Sequence, residues 1–194
     1  MTTLAAGFDD SSHDSQRVFR AVLDAFSHPG RILAIPAKVE TPGALSIAAT
    51  AFLLTLVDRE TPLWLAPDLD SVEVRDFVRF HTGAPIVSDS AAAIFALVTS
   101  ARQPMLDGFA IGSDPYPDRS ATLVIEVPAL RGGPTRTLRG PGIDGSMTAG
   151  IAGLADTFWS EWVANRALLP CGVDVVFAAG PELLALPRSI AAQC

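Results

Sequence analysis

The sequence predicts a layered α/β domain built on a mixed β-sheet. Segments with helical spacing of apolar residues alternate with short apolar runs bounded by Gly and Pro, the pattern of helices packed on buried strands. The pair Gly132-Gly133 lies between two strand candidates and permits the positive φ angles of a hairpin, so one strand pair is expected to be antiparallel. No repeat, low-complexity tract or linker divides the 194 residues, and residues 1–194 read as a single domain.

Ser11 or Ser12 can cap a first helix over residues 13–27, with Val18, Phe19, Val22, Leu23 and Phe26 on its inner face. His28-Pro29-Gly30 stops it, and residues 31–35 read as a strand. Residues 44–57 carry no side-chain charge until the chain reaches Asp58, which predicts a helix buried on all sides. The uncharged stretch 41–57 is at the lower limit for a membrane span, about 17–25 residues, and Pro42-Gly43, Ser46, Thr50 and Thr55 favour the buried helix. A second strand follows at 62–66, then an amphipathic helix at 72–80 with Val74, Phe77 and Val78 inward. Residues 93–98 read as a strand, and residues 103–119, rich in Pro, Gly and Asp, as loop. Strands at 121–127 and 135–138, a helix at 154–169, and strands at 172–177 and 184–187 complete the chain.

Composition narrows the partners. Hydrophobic residues make up 49 %, charged residues 18 %, and mean hydropathy is +0.34. Part of that apolar surplus is expected on a surface that a partner covers. A net charge of -7 and a pI near 4.8 argue against nucleic acid and against an anionic membrane surface. Residues 1–10 hold neither a cation nor an apolar run, so no secretory signal is expected, and Cys171 and Cys194 are far apart. A cytoplasmic protein with reduced thiols is the simplest reading.

Few reagents for chemistry are present. Lys38 is the one lysine, in a Pro36-Ala37-Lys38-Val39-Glu40 loop where solvent is its natural surrounding, so Schiff-base catalysis with pyridoxal phosphate (PLP) is not expected. His13, His28 and His81 have no paired spacing, and Cys-x-x-Cys is absent, so neither metal nor cofactor is predicted. His81 is read as a favourable charge at the C-terminal pole of its helix. Gly-x-Ser-x-Gly and Gly-Lys-Ser/Thr loops are missing, and no strand leads into Gly150-Ile151-Ala152-Gly153.

One stretch, residues 131–142 (RGGPTRTLRGPG), offers ligand chemistry. Arg136 and Arg139 with Gly140 and Gly142 are candidate anion-binding residues: guanidinium forks pair with phosphate oxygens, and turn amides add donors. The plainer alternative is a hairpin with exposed arginines ending in a Gly-Pro-Gly turn. Trp159 and Trp162 cannot share a narrow core stripe, so one of them is expected at the surface or an interface.

Several stretches stand out in order along the chain: His13-Asp14-Ser15-Gln16-Arg17-Val18-Phe19-Arg20, Pro29-Gly30, Leu53-Leu54-Thr55-Leu56, Thr61-Pro62-Leu63-Trp64-Leu65 and Arg79-Phe80-His81-Thr82-Gly83-Ala84-Pro85. Further on come Gly132-Gly133, Leu138-Arg139-Gly140-Pro141-Gly142-Ile143, Gly172-Val173-Asp174, Leu186-Pro187-Arg188 and Cys194. Together they resemble the PhnH subunit family of the bacterial carbon–phosphorus (C–P) lyase system. The resemblance implies a three-layer α-β-α sandwich, similar to PLP-dependent transferases but lacking their cofactor site. It implies a homodimer in isolation and a core complex with the PhnG, PhnI and PhnJ subunits. In that system PhnI is associated with displacing adenine from a nucleoside triphosphate by a phosphonate, and PhnJ with the radical iron–sulfur step that breaks the C–P bond. A chain similar to PhnH is then accessory to formation of alpha-D-ribose 1-methylphosphonate 5-triphosphate. The resemblance carries no catalytic residue over to this sequence.

Overall fold

The computed structural model describes residues 4–102 and 106–193; Cys194 and the start of the loop predicted at 103–119 lie outside them. Helix α1, Ser11–Ser27, opens the fold. Its cap is Asp10, whose carboxylate accepts the His13 N–H at 3.0 Å, so a carboxylate does what was expected of Ser11 or Ser12. Strand β1 is only Leu33–Ala34. Helix α2, Ile47–Leu56, is capped by Ser46, which accepts the Ala49 N–H. Thr50 and Thr55 donate their hydroxyls to Ser46 O and Ala51 O, each at 2.8 Å, which lets an uncharged helix carry them inside. Among the described residues no helix is long and apolar enough to cross a membrane.

The chain continues through β2 (Leu63–Leu65), α3 (Val72–His81), β3 (Ile86–Val87) and β4 (Phe95–Thr99). The described part of the predicted loop is more ordered than expected. A 3-10 turn at Leu106–Gly108 leads into the hairpin β5 (Ile111–Ser113) and β6 (Tyr116–Ser120). Its sequence, IGSDPYPDRS, lacks apolar alternation, so nothing local announces strands; Arg188 fixes it from outside by donating to Pro117 O at 2.9 Å and to the Ser120 hydroxyl. Then follow β7 (Thr122–Glu126), β8 (Arg136–Arg139), β9 (Met147–Ala149), α4 (Asp156–Arg166), β10 (Asp174–Ala179), β11 (Glu182–Leu186) and β12 (Ala191–Gln193).

Seven strands form the main sheet in the order β1-β11-β10-β7-β4-β2-β3. The run from β10 to β3 is parallel, and β11 is antiparallel to both of its neighbours. The sheet is therefore mixed, but not through the expected Gly132-Gly133 hairpin. Both edges of β7 are already taken, by β4 and β10, so β8 cannot pair with it. The chain crosses instead to a second sheet, β12-β8-β9, and Gly133 packs so tightly there that a Cβ would collide with the Ile151 backbone. Reversal in the main sheet comes from the β10–β11 turn at Gly180.

Side chains of the central strands alternate between two cores. Leu97, Val124 and Val176 point to the layer of α1, α2 and α3. Ala96, Val98, Leu123, Ile125, Val175 and Phe177 point to the other, made of α4 and the small sheet. Helix α1 buries Val18, Val22 and Ala25, whereas Phe19 and Leu23 are 48 % and 55 % exposed. This corrects their placement on the inner face. At about 100° per residue they lie roughly a quarter turn or more from the Val18 stripe, which is the part of α1 that joins the core.

Candidate functional site

The arginine–glycine segment is distributed rather than gathered into a cradle. Strand β8 alternates, so Arg136 and Leu138 face inward while Thr137 and Arg139 face the other way. The Arg136 guanidinium lies 5.6 Å from the Trp159 ring centroid and 3.3 Å from the Asp156 carboxylate, with its Nε buried and unpartnered. Arg139 is exposed on the opposite face of the strand. Arg131 is elsewhere again, donating to the two Glu182 carboxylate oxygens at 2.7 and 3.1 Å, and its guanidinium holds that carboxyl below its usual range. Three cations thus serve three places.

Gly140 and Gly142 have a packing explanation. At Gly140, with φ +152°, a Cβ would sit 2.7 Å from Ile190 Cδ1. At Gly142, with φ +83°, it would meet the Ser27 carbonyl and lie 2.9 Å from Pro29 Cδ. The Gly-Pro-Gly turn welds the small sheet to the end of α1. Of the four candidate anion-binding residues, Arg136 and Arg139 are separated by strand alternation, and Gly140 and Gly142 are occupied by close approach of neighbouring residues.

Both tryptophans are buried, Trp159 at 9 % exposure and Trp162 at 0 %, which overturns the expectation that one is exposed. Helix α4 has a wide inner face because it lies against two sheets. Phe158 and Trp162 meet Phe177 and the small sheet, and the Trp162 indole donates to Ile190 O at 2.9 Å. Trp159 is roofed by the Arg136 guanidinium, an amphipathic contact that needs no partner.

In doubly wound sheets a ligand crevice forms at the carboxyl ends of the strands, where strand order reverses. Here that point lies between β2 and β4, and it is bridged by the chain itself: the Thr99 hydroxyl donates to Asp68 at 2.6 Å. Beside it, at the end of β7, Glu126 accepts the Ser46 N–H at 2.7 Å, at the start of α2. Burial pushes the Glu126 carboxyl above its ordinary value, and the Ser46 N–H opposes that shift in part. Lys38 is exposed and lines a groove with Asp9, Asp10, Asp14 and Arg17. The histidines lie apart. His13 pairs with Asp10, His28 with Asp24, and His81, in the last turn of α3, bonds Ala5 O at 3.0 Å.

Sequence reasoning missed the polar joints. Asp174 receives the Arg188 guanidinium and backbone N–H, and Asn165 makes two bonds to the Val173 backbone. Glu126 had one visible signal, a lone carboxylate ending an apolar strand.

Residues 6–193 match the family described as "Bacterial phosphonate metabolism protein (PhnH)". The chain belongs to the PhnH family. It is similar to the alpha-D-ribose 1-methylphosphonate 5-triphosphate synthase subunit PhnH of Rhizobium meliloti (strain 1021), with 40% identity over 95% of this chain and 93% of that protein. It is also similar to HtxG of Stutzerimonas stutzeri, a candidate C–P lyase subunit, with 32% identity over 90% of this chain and 83% of that protein. The stretches that resemble PhnH map largely onto joints of the fold: Asp14–Arg17 on α1, Gly142 against Ser27, and Asp174 with Arg188.

Proposed function

We propose that this PhnH-family chain is a subunit of the C–P lyase core complex that contributes binding surface rather than reacting groups. Its place is the step that forms alpha-D-ribose 1-methylphosphonate 5-triphosphate from a nucleoside triphosphate and methylphosphonate. PhnG, PhnI and PhnJ are its partners in the cytoplasm, and on its own it forms a homodimer. The likeness to a synthase subunit over 95% of this chain supports the reading. The observation that carries it is the dispersal of Arg131, Arg136 and Arg139: Arg131 is paired with Glu182, Arg136 lies over Trp159, and Arg139 is exposed on the opposite face of β8.

The finer fold reading, a three-layer α-β-α sandwich similar to PLP-dependent transferases, is supported by a mixed sheet with helices on both faces. Gel filtration of the chain mixed with PhnG, PhnI and PhnJ tests the assignment. Co-elution in one peak is expected; separate elution at micromolar concentrations overturns it.

A further inference from the structure

Between α4, the 3-10 turn at Leu106–Gly108 and β5 lies a cleft of about 260 Å³, walled by Leu106, Ile111, Ala164 and Leu168. Leu168 and its chain neighbour Leu169, both exposed, continue this apolar surface just beyond the helix. Two carboxylates stand at the cleft: Asp107, which is exposed, and Glu161, which accepts the Leu106 N–H at 3.3 Å. Among the described residues neither is in an ion pair.

Three properties select the occupant. The cleft is at the lower end of small-molecule pockets, about 300–1,000 Å³, and its walls are the apolar side chains of Leu106, Ile111, Ala164 and Leu168, which suit one large apolar side chain. The carboxylates repel phosphate and phosphonate and favour a cation beside the apolar group. In a symmetric contact between two copies, a dyad at this cleft would bring Asp107 and Glu161 of each copy against the same carboxylates of the other, which disfavours self-association there. We propose that this cleft is the docking site for another protein subunit of the phosphonate assembly. That subunit inserts a large apolar side chain flanked by an arginine or lysine. The inference rests on the reading of this chain as an assembly subunit.

Two variants and one cross-link test it. Ala164 is exposed, so Ala164→Arg keeps the helix and fills the cleft mouth with a misplaced cation. It should weaken binding to the assembly's other subunits about tenfold or more, the size expected when an anchor pocket is blocked. Phe80→Asp, at an exposed position on the far layer of the sheet, should change binding less than about twofold. A photo-cross-linking amino acid at position 168 of the full chain should form a covalent adduct with another subunit. If Ala164→Arg binds like the unmodified chain and position 168 gives no adduct, the cleft is not the docking site and the subunit reading stands. If the unmodified chain itself does not assemble, the subunit reading fails and takes this inference with it. Should Ala164→Arg fail to fold, the adduct from position 168 alone decides.

Discussion

Asn165 is the side chain whose removal should most directly loosen α4 from the sheet. Its Nδ2–H donates to Val173 O at 2.9 Å, and its Oδ1 accepts the Val173 N–H at 2.8 Å. Val173 has no exposed surface, so Asn165→Ala leaves its backbone N–H and C=O without a protein partner. Each such group costs about 1–3 kcal/mol, or about 2–6 kcal/mol for the pair. Asn165 borders the cleft beside α4, where a water can reach the vacated space, which puts the expected loss at about 2–3 kcal/mol. For a chain of this size each kcal/mol lowers Tm by about 2–4 °C, giving a drop of about 4–12 °C. Scanning calorimetry on the isolated chain measures it. A Tm within about 1 °C of the unsubstituted protein would show that this pair does not hold α4, and the reasoning from buried polar joints would be wrong.

Gly142→Ala should destabilise the chain by at least the 1–2 kcal/mol or so of its left-handed φ, with the Ser27 collision added, whereas Arg139→Ala should stay within about 0.5 kcal/mol; urea titrations compare them. Equal costs would contradict the packing account of this segment. Glu126 is raised by burial, so the folded state holds its proton to higher pH than the unfolded chain, and this group's contribution to stability falls as pH rises through that interval. Glu126→Gln should therefore raise Tm at neutral pH and flatten its decline from mildly acidic pH upward; a lower Tm at pH 7 would refute this. Phe19→Ser combined with Leu23→Ser should cost the isolated chain less than about 2 kcal/mol by denaturant melts, because about half of each side chain already stands in solvent; a larger loss would place them in the core.

The buried helix α2 and the strands β4, β7 and β10 were legible in the sequence because uninterrupted apolar runs leave few alternatives. Helix α3 was legible for the opposite reason, a clear apolar stripe at Val74, Phe77 and Val78. The strands that escaped, β3, β5, β6, β9 and β12, are short and owe their conformation to distant partners. Arg188 bracing the β5–β6 hairpin from 71 residues away leaves no local trace. The Gly132-Gly133 pair misled because a glycine turn specifies a backbone angle, not which strands flank it. Trp159 misled because one arginine on another strand covered it, a contact that helical periodicity on α4 alone does not encode. The dispersal of the arginines, by contrast, could have been read from strand alternation, since Arg136 and Arg139 are an odd number of residues apart.

The central claim is that this domain supplies surface while its neighbours supply the reaction. Adenine release from ATP with methylphosphonate, followed by chromatography for the isolated chain and for the chain mixed with PhnG, PhnI and PhnJ, tests it in one assay. No release is predicted from the chain alone, and release only when the partners are present. Sustained turnover by the purified chain by itself would contradict the account.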